Sequence, residues 1–110
     1  MPGTFVITES KNGQFMFNLK AGNGQVILTS EQYKQKRSAK NGIESVRKNS
    51  SKDGSFDRLM SKSGKPYFVI KARNGEPIGR SQMYASNSSM EKGIASVRAN
   101  APDASVNDKI

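Results

Sequence analysis

The chain has 110 residues, one domain's worth, with 34% hydrophobic residues and a mean hydropathy of -0.70; two independent cores are excluded, so any repeats must share one. It contains neither cysteine nor histidine, which excludes a disulfide framework, thiolate metal sites and the commonest metal ligand and general base. The formal net charge of +9 is spread along the chain, 8 basic against 3 acidic residues in positions 1 to 50 and 10 against 6 in positions 51 to 110, a balance that suits polyanion partners and solubility alike.

The opening MPGTFVITES has no basic leader region, and no segment approaches the roughly 18 apolar residues of a membrane helix. A cytoplasmic chain without a membrane partner is expected. TFVIT is β-branched and aromatic, as a strand requires, and KNG turns the chain. QFMFNLK then alternates Phe15, Phe17 and Leu19 against Met16, Asn18 and Lys20, the period of a half-buried strand. Asn23-Gly24 reads as a type I′ hairpin with two positive-φ residues. A third strand follows in QVILTS, with Ile27 as its core residue.

The polar EQYKQKR leads to a helix, in which Ala39, Ile43 and Val46 form one stripe after Ser38. Gly42 lies inside it, where glycine costs about 1 kcal/mol relative to alanine, and marks a point where the helix backbone lies close on the sheet. SFDRLM gives the next strand signal.

From there the chain repeats itself. KARNGEPI, Lys71 to Ile78, rewrites KAGNGQVI, Lys20 to Ile27, and at this offset of 51 residues 18 of the 40 positions from Ser10 to Asn49 are identical. This is a tandem duplication. It carries Asn23 and Gly24 onto Asn74 and Gly75, Ser30 and Tyr33 onto Ser81 and Tyr84, Gly42 onto Gly93, and Arg47 onto Arg98. The second helix has Met90, Ile94, Val97 and Ala101 in one stripe, and Ser88 with Glu91 has the spacing of a capping box. DASVNDK supplies a last short strand.

Because Phe56 aligns with Phe5, the middle strand closes the first unit and opens the second. The expected fold is α+β: two β-β-β-α-β repeats, about 4–59 and 55–108, forming one antiparallel sheet with both helices on one face.

The segments NGQFMFNLKAGNGQVILTSEQYKQK with GIESV, and SGKPYFVIKARNGEPIGRSQMYAS with GIASV, resemble the YegP-like proteins, small bacterial domains marked by DGxxYFxLKAxNGxxIxxSExYxxK and a helix with GIxSV. The resemblance covers nearly the whole chain. It implies terminal strands exchanged between the two units, and it implies no activity, cofactor or catalytic residue. Departures are Gly22, Gln82 in place of the first copy's Glu31, and Pro66 and Pro77, which interrupt two strands of the second copy.

Four function classes follow. Nucleic-acid or polyanion binding would use the sheet face away from the helices, with Met16, Lys20, Tyr67 and Lys71. Ser30, Tyr33, Ser81 and Tyr84 could line paired ligand pockets with Arg47 and Arg98 as anion contacts, but a turn-forming serine and a tyrosine packed at the sheet edge explain them better. Catalysis is not expected, since the carboxylates are scattered and no nucleophile has a base at motif spacing. A protein-interaction or structural module, monomeric because the tandem copy replaces a homodimer, is the reading that remains.

Overall fold

A computed structural model describes residues 3–109. Strand β1 spans Thr4–Glu9, β2 Phe15–Lys20 and β3 Val26–Ser30, followed by helix α1, Lys36–Asn49. The second unit runs β4 Phe56–Met60, β5 Pro66–Lys71, β6 Pro77–Arg80 and helix α2 Asn87–Asn100. Strand β7, Ser105–Asp108, follows a 3₁₀ turn at Ala101–Asp103. Seven strands form one sheet in the order β4-β5-β6-β3-β2-β1-β7.

Alternation along the strands decides which face is buried. Phe5 and Ile7, Phe17 and Leu19, and Phe68 and Ile70 are fully buried and join Ile43, Val46, Ile94 and Val97 in one core. The register carries a single row from Ile7 through Phe17, Ser30, Gly79 and Ile70 to Phe56 on the helix side. Both helices therefore cover the same face, and the two units share one core, as a chain this short requires.

Five of the six pairings are antiparallel, but β7 runs parallel to β1. The sequence suggested an antiparallel sheet throughout. Helix α2 carries the chain from β6 to the far edge of the sheet, where β7 runs opposite to β6; β1 also runs opposite to β6, so β7 and β1 lie parallel. The exchanged strand is thus β7, laid on the first unit. The middle strand β4 pairs with β5 alone; it opens the second unit without closing the first.

All four tight hairpins use one turn, and it is not type I′. Among the described residues only the glycines Gly13, Gly24, Gly64 and Gly75 have positive φ, between 80° and 87°. In the β2–β3 hairpin Gly24 N–H donates to Ala21 O at 2.9 Å and Ala21 N–H to Gln25 O at 2.9 Å, a four-residue turn followed by a glycine bulge. Asn23 stays in the right-handed region because its Oδ1 accepts from Gln25 N–H at 3.0 Å. Asn74 does the same for Glu76 N–H at 3.1 Å.

Past the β2–β3 and β5–β6 turns the register slips by one residue, between Leu19 and Lys20 and between Ile70 and Lys71. The extra residues are Ile27 and Ile78. Both are buried beside their neighbours Leu28 and Gly79, which is how each unit presents two successive residues to the core. Pro66 and Pro77 interrupt nothing: each is the first residue of its strand, a position where a missing N–H is tolerated.

The helices begin earlier than the sequence suggested. Helix α2 is capped by Ser86, whose Oγ accepts from Ser89 N–H at 3.1 Å, so Ser88 lies inside it. Helix α1 starts after Gln35, without a side-chain cap.

Candidate interaction surface

The repeated residues are mainly structural, and their geometry explains why they recur. Ser30 Oγ accepts from Phe17 N–H at 2.8 Å and donates to Glu31 O at 2.8 Å; Ser81 repeats this with Phe68 N–H at 3.0 Å and Gln82 O at 2.8 Å. The serine thus joins neighbouring strands and satisfies a buried donor; its role goes beyond a local turn. Tyr33 stacks on Phe17 with ring centroids 6.4 Å apart, and Tyr84 on Phe68 at 6.3 Å. A Cβ on Gly42 would meet the Tyr33 hydroxyl at 2.7 Å, and one on Gly93 the Tyr84 hydroxyl at 2.2 Å. The glycines exist to admit a tyrosine between helix and sheet. Burial raises the pKa of both phenols, Tyr33 also through the nearby Glu31 charge.

The six proposed anion contacts divide. Met16, Lys20, Tyr67 and Lys71 lie half-buried on the open sheet face. Lys71 is ion-paired with Asp57, its diagonal neighbour on β4. Arg47 and Arg98 lie on the helix side, where they tie the two units together. Arg47 Nη1 donates to Pro102 O at 3.1 Å and its guanidinium sits 5.4 Å above the Phe5 ring. Arg98 Nη2 reaches Ser51 O at 3.4 Å, the same contact 51 residues on. With two cations committed to the frame and a third paired, no single basic face assembles from the six.

The feature that sequence reasoning missed is the outer edge of β4, which ends the sheet with its outward backbone groups unpaired among the described residues. Its apolar Leu59 and Met60 are 40% and 59% exposed. On the helix side Arg58 donates from Nε to Glu91 Oε2 at 2.5 Å and from Nη2 to Asp53 Oδ1 at 2.9 Å. Those hydrogen bonds, with the guanidinium charge, hold both carboxyls below their ordinary range and raise the guanidinium's own pKa. Between Arg58 and the Ile94, Ala95 and Ala99 side of α2 lies a groove of about 450 Å³. The signal was available: two three-stranded units and one further short strand leave a strand to cover only one of the two outer edges.

Residues 10–57 and 61–108 each match the domain of unknown function DUF1508. The chain belongs to this family. A UPF0339 protein of Acinetobacter baylyi is 56% identical over 108 residues, covering 98% of this chain and 97% of its own length. One from Pseudomonas aeruginosa is 50% identical over 109 residues, 99% of each chain. Two solution NMR structures share this DUF1508 fold. The E. coli protein of unknown function yegP has a TM-score of 0.94 at 50% identity, covering 99% of this chain and 94% of that one; a UPF0339 protein of Shewanella oneidensis has 0.92 at 47%, covering 98% and 92%. The YegP-like resemblance read from the repeated segments is therefore correct, and this tandem DUF1508 chain has two copies of the domain in one sheet. Among its described residues no helix is long and apolar enough to cross a membrane, and no group of three potential metal ligands gathers.

Proposed function

We propose that the chain is a cytoplasmic, non-enzymatic protein-interaction module that works through the uncovered edge of β4. The carrying observation is that edge itself: a five-residue strand with Leu59 and Met60 exposed and no proline within it. Such edges are normally blunted by charge, proline or a covering element; β4 has neither of the last two, and its charges Asp57 and Arg58 are already paired with Lys71 and with Asp53 and Glu91, which leaves the ladder open to recruit a strand. A non-enzymatic role is supported by the use made of the perturbed groups. Asp53 and Glu91 are held by Arg58, and the two tyrosines are packed against glycine and phenylalanine. Nucleic-acid binding through the open face has less support, because Lys71 is paired with Asp57 and Tyr67 is the one aromatic residue proposed for that face.

The test is a photo-crosslinking amino acid placed at Leu59 and, as a control, at Asn107 on the opposite edge, in cells. Protein adducts from Leu59 in excess of Asn107 are expected. Equal adducts, or none, overturn the reading. An NMR titration with single-stranded and duplex oligonucleotides tests the alternative: shifts at Met16, Lys20, Tyr67 and Lys71 that survive physiological salt would replace a protein partner with a polyanion.

A further inference from the structure

We propose that the β4 edge binds an extended segment of a partner protein, running parallel to β4 and carrying a β-branched residue followed two positions later by an acidic one. This rests on the interaction reading above and adds the orientation and chemistry of the occupant.

The molecule contains its own template. On the first unit, β7 lies parallel to β1 with Val106 opposite Phe5 and Asp108 opposite Ile7. Ser105 N–H donates to Gly3 O at 3.2 Å and Lys109 N–H to Ile7 O at 3.1 Å. Val106 lines a groove with Ile43 and Glu44 of α1, and Asp108 pairs with Lys36.

Adding 51 to each position transfers this seat to the second unit. Gly3 and Thr4 become Gly54 and Ser55, which keeps a glycine and a hydroxyl residue before the apolar floor but sets them in a 3₁₀ turn, Asp53–Ser55, so the second seat begins at Phe56. Phe5 becomes Phe56 and Ile43 becomes Ile94, which keeps the apolar floor. Glu44 becomes Ala95, which is exposed and opens the groove further. Ile7 becomes Arg58. A residue placed as Asp108 is placed on β1 would therefore stand beside the Arg58 guanidinium, whose Nη1 is used by neither Glu91 nor Asp53. The second seat thus asks for an apolar residue over Ile94 and Ala95 and a carboxylate at Arg58, the order in which β7 itself presents Val106 and Asp108.

Charge selects the source of the occupant. At a net charge of +9 two copies repel one another, whereas an acidic segment of another protein is attracted. Parallel addition to an edge supplies main-chain hydrogen bonds, and alternate side chains supply the specificity.

The probe is a synthetic peptide of residues 101–109 of this chain, titrated into the labelled full-length protein and followed by amide NMR. Saturable shifts at Phe56 to Met60 and at Glu91, Ala95 and Ala99 are expected. Binding should weaken about tenfold when the peptide carries Asp108→Lys, and by a similar factor in the protein variant Ala95→Arg, which fills the groove from an exposed helix position. Shifts at Thr4 to Glu9 would mean exchange at the first edge and overturn the proposal, as would no saturable shift at millimolar peptide. A concentration-dependent dimer whose interface is β4 would overturn it in favour of a second copy. Crosslinks from Leu59 that persist when the peptide fails would leave the interaction reading standing and remove only the parallel-strand mode.

Discussion

The two ends of the sheet began as copies and now differ. At one end β1 is covered by β7, and Phe5 and Ile7 are fully buried. At the other, β4 has no outer neighbour among the described residues, and Ile7 has become Arg58, held by Glu91 and Asp53. The difference teaches how one repeated unit is built with a covering strand and without one. An apolar residue that a covering strand would bury is replaced by an ion cluster that tolerates water, while the backbone beneath keeps its open ladder.

The contrast can be tested by core truncation first, where the expected effect is largest. Phe5→Ala should cost about 3–5 kcal/mol, because the covered edge cannot collapse onto the cavity. Phe56→Ala, beside the open edge, should cost less. Equal losses in urea denaturation would show that β7 adds nothing to the packing around β1.

The helical glycines come next. Gly93→Ala should destabilise by about 2–3 kcal/mol through overpacking, more than Gly42→Ala, because the tyrosine hydroxyl stands at 2.2 Å in one copy and 2.7 Å in the other. Gly93→Leu should be worse than Gly93→Ala. Tyr84→Phe in the Gly93→Ala background should recover part of the loss, since it removes the clashing hydroxyl; additive costs in that double-mutant cycle would show that the tyrosine is not the obstacle.

Ser30→Ala and Ser81→Ala should each cost about 1–2 kcal/mol by leaving the N–H of Phe17 or Phe68 without its buried acceptor. A melting temperature unchanged in either variant would contradict the bridging role. The smallest effect belongs to the ion cluster. Glu91 and Asp53 have folded pKa values below their ordinary 4.5 and 3.8. Their contribution is thus complete above those ordinary values and is lost as pH falls through the lowered folded ones. Both are exposed, so the gain is small and salt-sensitive. In Glu91→Gln the acid-side slope of stability should flatten; an unchanged slope would mean that Arg58 contributes nothing measurable.

Much of this architecture is legible in residue order. The alternation of Phe15, Phe17 and Leu19, the stripe of Met90, Ile94 and Val97, and the 51-residue offset depend on local periods, which a sequence displays directly. The parallel sense of β7 is not local. It depends on where α2 and the Ala101–Asp103 turn deliver the chain, and a four-residue strand has no pattern that reports its direction. The turn type was hidden by the Asn23 side chain, whose bond to Gln25 N–H holds Asn23 out of the left-handed region. Of the candidate surface, the open face followed from alternation. The pairing of Lys71 with Asp57 lies diagonally across a hairpin, and the commitment of Arg47 and Arg98 to carbonyls on the opposite unit spans 55 and 47 residues; neither is visible along the chain.

The placement of β7 has a consequence during synthesis. The strand beside β1 is the one made after all the others, and 101 residues separate Thr4 from its partner Ser105. Until the ribosome releases that last strand, the first unit has an open edge of its own, with Phe5 and Ile7 imperfectly covered. A nascent chain of this protein therefore passes through a state with two unpaired edges, and aggregation-prone strand surface stays exposed until β7 has emerged.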